Sequence, residues 1–272
     1  MASTALLGPP GVGKTTMAAL TAPRKPVHVV DIDRKIRSMA NLRHAIDKGE
    51  LTYKEIGETL TEDALAKRLD ALVKDEKSQR PPRGWSNFAN YVGTLESDDI
   101  AKKAGTIVID SLTQLGIHMK SHIQFLKGKS KFVWDDWNVW KIMWTEVVTI
   151  LIDYCLSQDK DLIVTLHERV SERPSPTTEK VNVKVGDKGE RQKIYVGDMD
   201  VLIAGSIDGA FGLEFGSYFT DVYALRVDVD KNKVPKWVCR VHPDGQRDLR
   251  CSFNTKGVTE FDPDFAKIWN VK

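Results

Sequence analysis

With 272 residues, 41% of them hydrophobic and 29% charged, the chain has the balance of a globular protein and is long enough to bury a sizeable core. Its formal net charge of +2 excludes nucleic-acid binding through bulk basicity, so such a site would have to be a local patch. Cys155, Cys239 and Cys251 lack the paired spacing of a zinc motif or a disulfide framework, and no apolar stretch reaches the roughly 20 residues of a membrane span. The short run Ala5-Leu6-Leu7 ends at once in glycine and proline, which is no secretory leader, so the expected location is cytoplasmic.

The first element in chain order is a strand, Thr4-Ala5-Leu6-Leu7. It runs into Gly8-Pro9-Pro10-Gly11-Val12-Gly13-Lys14-Thr15-Thr16 and then into the helix-forming Met17-Ala18-Ala19-Leu20. This strand, loop and helix meet the pattern G-x-x-x-x-G-K-[ST] in full. Glycines accept backbone conformations that let successive N–H groups turn inward around phosphate oxygens. Lys14 brings a cation to the β- and γ-phosphates, Thr15 offers a hydroxyl to Mg2+, and the helix start adds its positive end. These nine residues are the candidate ligands of ATP or GTP, which the pattern alone does not separate.

The second strand, Val27-His28-Val29-Val30-Asp31-Ile32-Asp33, ends in carboxylates that either face the nucleotide or cap the next helix. Residues 35–103 are polar and carry Leu60, Leu65, Leu69 and Leu72 at near-helical spacing, followed by Pro81-Pro82, and read as a helical elaboration. Thr106-Ile107-Val108-Ile109-Asp110 is an apolar run that reads as a buried parallel strand. Asp110 at its tip is placed to hold Mg2+ through water, as a Walker B aspartate does. Lys127, Lys129 and Lys131 then form a basic loop. Trp137, Trp140, Trp144, Val147, Leu151 and Tyr154 repeat at three- and four-residue steps, the pattern of a helix burying one face. A fourth strand from Asp161 ends in His167-Glu168, where a polar side chain could sense the γ-phosphate.

Residues 169–205 are turn-rich and basic, with Arg173, Lys180, Lys184, Lys188, Arg191 and Lys193, and read as a long loop or hairpin able to contact a phosphate backbone. Beyond them the chain is β-rich over 206–272, with strands around Val222 and Trp237. The alternation of strands and helices predicts a single α/β domain with a mainly parallel sheet flanked by helices.

These residues resemble the RecA-like P-loop ATPases, and among them the compact phage ATP-binding proteins related to single-strand annealing recombinases. The resemblance rests on the Gly8 loop, the Asp31-Ile32-Asp33 strand end, Ile107-Val108-Ile109-Asp110-Ser111, the His167-Glu168 strand end and Phe219-Thr220-Asp221-Val222-Tyr223. It implies a RecA-like core and a Mg2+-dependent ATPase. Lys14 would neutralise phosphate, Asp33 or Glu168 would orient the attacking water, and His167 would report the γ-phosphate. It further implies single-stranded DNA bound by the Lys127-to-Trp137 and 169–205 segments, with Phe132, Trp134 or Tyr195 stacking on bases. The implied partners are single-stranded DNA, further copies of the chain in a ring or filament and a single-strand-binding protein, in the host cytoplasm if the chain is phage-encoded. A nucleotide switch acting on a protein partner without DNA is the alternative, and a small-molecule kinase, for which no arginine-rich lid motif is present, is a third reading.

Overall fold

The structure is a computed structural model. It describes residues 2–57, 82–128, 132–174, 179–185, 190–196, 199–205, 215–229, 231, 233–244 and 246–269, with the backbone alone over 170–205. The expected leucine-spaced helix around residues 60–72 lies outside the described residues, as do Lys129, Lys131 and Lys188.

The sheet grows outward from the first strand. β1 (Ser3–Gly8) is flanked on one side by β5 (Asp161–Pro174) and on the other by β9 (Asp221–Val229), both parallel to it. Beyond β5 come β4 (Thr106–Asp110), β2 (Val27–Asp31) and the edge strand β3 (Leu51–Glu55), all parallel. Beyond β9 lie β10 (Pro235–Arg240) and β11 (Glu260–Phe261), which run antiparallel. All residues of β1, β2 and β4 are buried, because helices cover both faces. That is why these strands read as unbroken apolar runs rather than as alternating ones.

On one face, Ala5, Leu7, Val30, Ile107, Ile109, Leu162 and Val164 pack against α3 (Arg83–Thr94), α5 (Leu112–Lys127) and α6 (Trp134–Ser157). On the other, Leu6, Val27, Val29, Val108, Ile163 and Tyr223 pack against α1 (Lys14–Thr21) and the C-terminal α7 (Phe265–Trp269). Two short helices, α2 (Arg43–Asp47) and α4 (Asp99–Lys103), complete the described α-helices. Trp140, Trp144, Val147, Leu151 and Tyr154 are buried, so the aromatic stripe is a core face. Gly116 of α5 makes that packing possible, since a Cβ there would lie 3.2 Å from the Trp144 ring.

One stretch differs from its sequence reading and a second differs from it in part. Residues 35–103, expected to be helical, contain β3, whose Leu-Thr-Tyr-Lys-Glu gains strand geometry only by pairing along β2 from Val27↔Leu51 to Asp31↔Glu55. Residues 169–205, expected as loop or hairpin, do hold a hairpin, and the described residues around it are paired strand rather than loop. β5 continues past the sheet and pairs from Glu168 to Pro174 with β8 (Met199–Gly205), while β6 (Glu179–Val185) and β7 (Glu190–Val196) form an antiparallel hairpin. The strand around Val222 lies in the core sheet directly beside β1.

Candidate nucleotide-binding site

The phosphate loop leaves β1 at Gly8, and this position excludes a side chain. A Cβ there would lie 2.6 Å from the Leu225 carbonyl oxygen of β9. Gly11 and Gly13 have φ of 78° and 95°, in the left-handed region that glycine enters without strain. α1 begins at Lys14, so its unpaired N–H groups face the loop. Pro9, Pro10 and Gly11 are exposed, whereas Lys14 and Thr15 are buried.

Lys14 turns back onto its own loop and donates to the Gly8 and Pro9 carbonyls at 2.7 and 2.8 Å. Burial, and then the nearby Lys35 ammonium, lower its pKa to about 8. Thr15 Oγ1 donates to Asp110 Oδ2 at 2.8 Å, which brings together the two residues expected to hold the metal. Asp110 Oδ1 accepts from the Thr165 hydroxyl of β5, the strand next to β4. The donor set is a hydroxyl and a carboxylate, both hard oxygens, and fits Mg2+.

The two carboxylates ending the second strand separate into different tasks. Asp31 is fully buried and accepts from the backbone N–H groups of Lys35 and Ile36 at 3.3 and 2.8 Å. It therefore caps the turn after β2, and burial raises its pKa to about 6 against those bonds. Asp33 faces the site. Its Oδ1 accepts from Ser111 Oγ at 2.8 Å and its Oδ2 from Lys35 Nζ at 2.7 Å. Burial alone would raise the Asp33 carboxyl, but Lys35 and Ser111 more than reverse this and hold it below the usual carboxylate range. The Asp33 and Ile32 N–H groups also donate to the Asp110 carbonyl, which fixes the tips of β2 and β4 together.

His167 lies opposite Gly8 in the β1–β5 register, and its N–H donates to Thr113 Oγ1 at 3.0 Å. Burial, then the Lys14 charge, push its imidazole below the ordinary range, so the ring is neutral near pH 7. Glu168 is engaged by Arg247, at 2.7 Å to Nε and 3.3 Å to Nη2, and Arg247 also meets Asp244 at 2.7 Å.

Of the expected cationic contacts, Lys127 is committed to the buried Asp136 carboxylate, which draws its ammonium inward and argues against a role on nucleic acid. Phe132 packs edge-on to Trp137 at 4.8 Å, and both rings carry the Lys120 ammonium over them, so Phe132 is not presented as a stacking platform. Trp134 remains largely exposed. Arg173, Lys180, Lys184, Arg191 and Lys193 lie on the strands of the extension. Sequence reasoning missed Lys35 and Thr165. A lysine two residues past a strand-end carboxylate was the available signal for the first, and an unexplained buried-strand threonine for the second.

A glycine loop closing on a helix start, with a lysine, a hydroxyl and a strand-tip carboxylate converging beside it, defines a P-loop nucleotide-binding protein. Residues 2–223 match the family described as an AAA domain, and the chain belongs to that family of P-loop ATPases. A solved structure of the RadB recombinase is also similar, at 14% identity and a TM-score of 0.42, over 90% of this chain and 84% of that one. Among curated proteins no relative matches.

Proposed function

We propose that the chain is a RecA-like, Mg2+-dependent ATPase that binds single-stranded DNA and promotes annealing or strand pairing in the cytoplasm. ATP and Mg2+ would be held by residues 8–16 and by Thr15 with Asp110, the ion stabilising charge on the transferred phosphoryl group. Lys14 would leave the loop carbonyls for the phosphates. Asp33 is the better group to orient water, since its N–H donates to the Asp110 carbonyl and Lys35 reaches both carboxylates, which sets it beside the metal-binding pair, while Glu168 is held by Arg247.

The observation that carries the DNA reading is the register of the β6–β7 hairpin. Lys180 pairs with Tyr195, Asn182 with Lys193 and Lys184 with Arg191, so strand alternation puts these six positions on one face. Val181, Val183, Val185, Ile194 and Val196 fall on the other. Four cationic positions with an aromatic one along a single face suit a phosphate backbone with stacked bases. β5 runs without interruption from His167, opposite Gly8, into the extension, which supports coupling between nucleotide and DNA.

The test is ATP hydrolysis with and without single-stranded DNA, with Lys14→Ala as control. Stimulation by DNA that Lys14→Ala abolishes supports the reading. Hydrolysis indifferent to DNA, with no DNA binding, turns the weight to a switch acting on a protein partner. That second reading draws on Val139, Ile142, Ile150 and Leu156, which are exposed on α6.

A further inference from the structure

Lys35 has no part in the hydrolysis proposed for this site, yet it lies at the site's centre. Its ammonium is 2.7 Å from Asp33 Oδ2 and 3.8 Å from Asp110 Oδ2. The second of these oxygens is the one that accepts from Thr15. Lys35 therefore approaches the carboxylate oxygen at the place where a cation shared by Thr15 and Asp110 belongs. Lys14 is turned back on the loop carbonyls, so it does not supply that charge.

The backbone is bent to bring Lys35 there. Arg34, between Asp33 and Lys35, has φ of 56°, a left-handed conformation that is strained for a non-glycine residue. The bend lets the Lys35 side chain return to the carboxylate two residues before it. Asp110 and Asp33 have side chains 1% and 15% exposed, and two carboxylates with so little water need a positive charge between them. Lys35 itself is 39% exposed on a long stem, so it can withdraw without disturbing the core.

Resting on the reading of the site as a Mg2+–nucleotide centre, we propose that Lys35 is a tethered cation. It holds Asp33 and Asp110 in the nucleotide-free protein and competes with magnesium for them. It is a positioning residue: it keeps Asp33 aligned on Ser111 until the metal arrives, and by standing in for part of the metal's charge it limits how strongly nucleotide affinity depends on magnesium.

The experiment measures the dissociation constant of a fluorescent ADP analogue in EDTA and in saturating Mg2+, and takes the ratio of the two. Lys35→Met removes the competitor, so the ratio rises about tenfold over wild type, because binding in EDTA weakens and binding with Mg2+ holds or tightens. Lys35→Arg keeps the charge and stays within about threefold of wild type. A purely structural lysine would change both constants together and leave the ratio still. An unchanged ratio in Lys35→Met overturns this proposal alone. A wild-type protein that binds no nucleotide in either buffer overturns the site reading, and this proposal with it. If Lys35→Met does not fold, Lys35→Gln is read by the same ratio.

Discussion

Lys14 is charged at neutral pH only because its surroundings permit it narrowly. Burial and Lys35 bring its pKa in the nucleotide-free protein to about 8, and bound phosphate favours the charged form and would raise it. Nucleotide binding then takes up a proton above pH 8, so affinity falls as pH rises through that value. The dissociation constant for ADP should be about tenfold weaker at pH 9 than at pH 7. An affinity flat across that window would show that Lys14 does not change its charge state on binding. Thr165 offers a second test at this scale. Replacing it by valine leaves Asp110 Oδ1 buried without the hydroxyl it accepts from. The loss should cost about 2 kcal/mol, or roughly 4–8 °C in Tm, with weaker nucleotide binding, read by calorimetry and titration. A melting point and affinity equal to wild type would remove Thr165 from the site. Lys14, Thr15 and Asp110 were legible in the sequence because the phosphate loop and the strand tip are local patterns. Thr165 was not, because its value depends on β5 lying next to β4, with Ile109 paired to Val164.

Elements are joined by buried polar contacts as well as by apolar packing. His28 of β2 reaches Thr52 of β3 through Nδ1 at 2.8 Å and the Tyr91 hydroxyl of α3 through Nε2 at 2.6 Å. Tyr91 is in turn hydrogen-bonded to Asp98, whose carboxylate caps α4 by accepting from Ile100 and Ala101. Four elements thus share one chain of hydrogen bonds. Burial lowers the His28 pKa from 6.5 to about 4. The unfolded chain therefore binds a proton between pH 6.5 and 4 that the folded one refuses. The stability that His28 contributes is complete above pH 6.5 and is lost as pH falls towards 4, to the extent of about 3 kcal/mol. Asp31 acts with the opposite sign, because its raised pKa near 6 favours the folded form as pH falls. Comparing wild type with His28→Gln cancels that contribution. Urea midpoints at pH 7.5 and 4.5 should fall further in the wild type than in the variant, and parallel falls would sink the assignment. The edge strand in this network was illegible in the sequence, since Leu51-Thr52-Tyr53-Lys54-Glu55 has neither an apolar run nor a clean alternation, and only pairing with β2 makes it a strand. β9 hid its place in the core for the same reason, because lying parallel to β1 joins residues more than 200 positions apart.

Across the whole molecule, the family match ends at residue 223, within the strand beside the phosphate loop. The C-terminal segment beyond that strand braces the site: Arg247 grips Glu168 where β5 leaves the sheet, and Asp244 holds Arg247. Burial would lower the Arg247 pKa, and the two carboxylates reverse this and raise it, so the guanidinium remains a fixed charge. The base of the extension is thereby anchored between the nucleotide site and the C-terminal segment, while the β6–β7 hairpin carries the cationic face. This division predicts that the two functions come apart. Substituting Lys180, Lys184, Arg191 and Lys193 together by glutamine should leave ADP affinity and Tm near wild type, because these positions lie on the hairpin and not among the residues of the phosphate loop. Affinity for single-stranded DNA should fall, and its logarithmic dependence on salt should flatten by about 0.7 per lost phosphate contact, or about 3 for four. An unchanged salt slope would mean that DNA, if bound at all, is held elsewhere. Loss of ADP binding in the same variant would mean that the hairpin belongs to the nucleotide site itself.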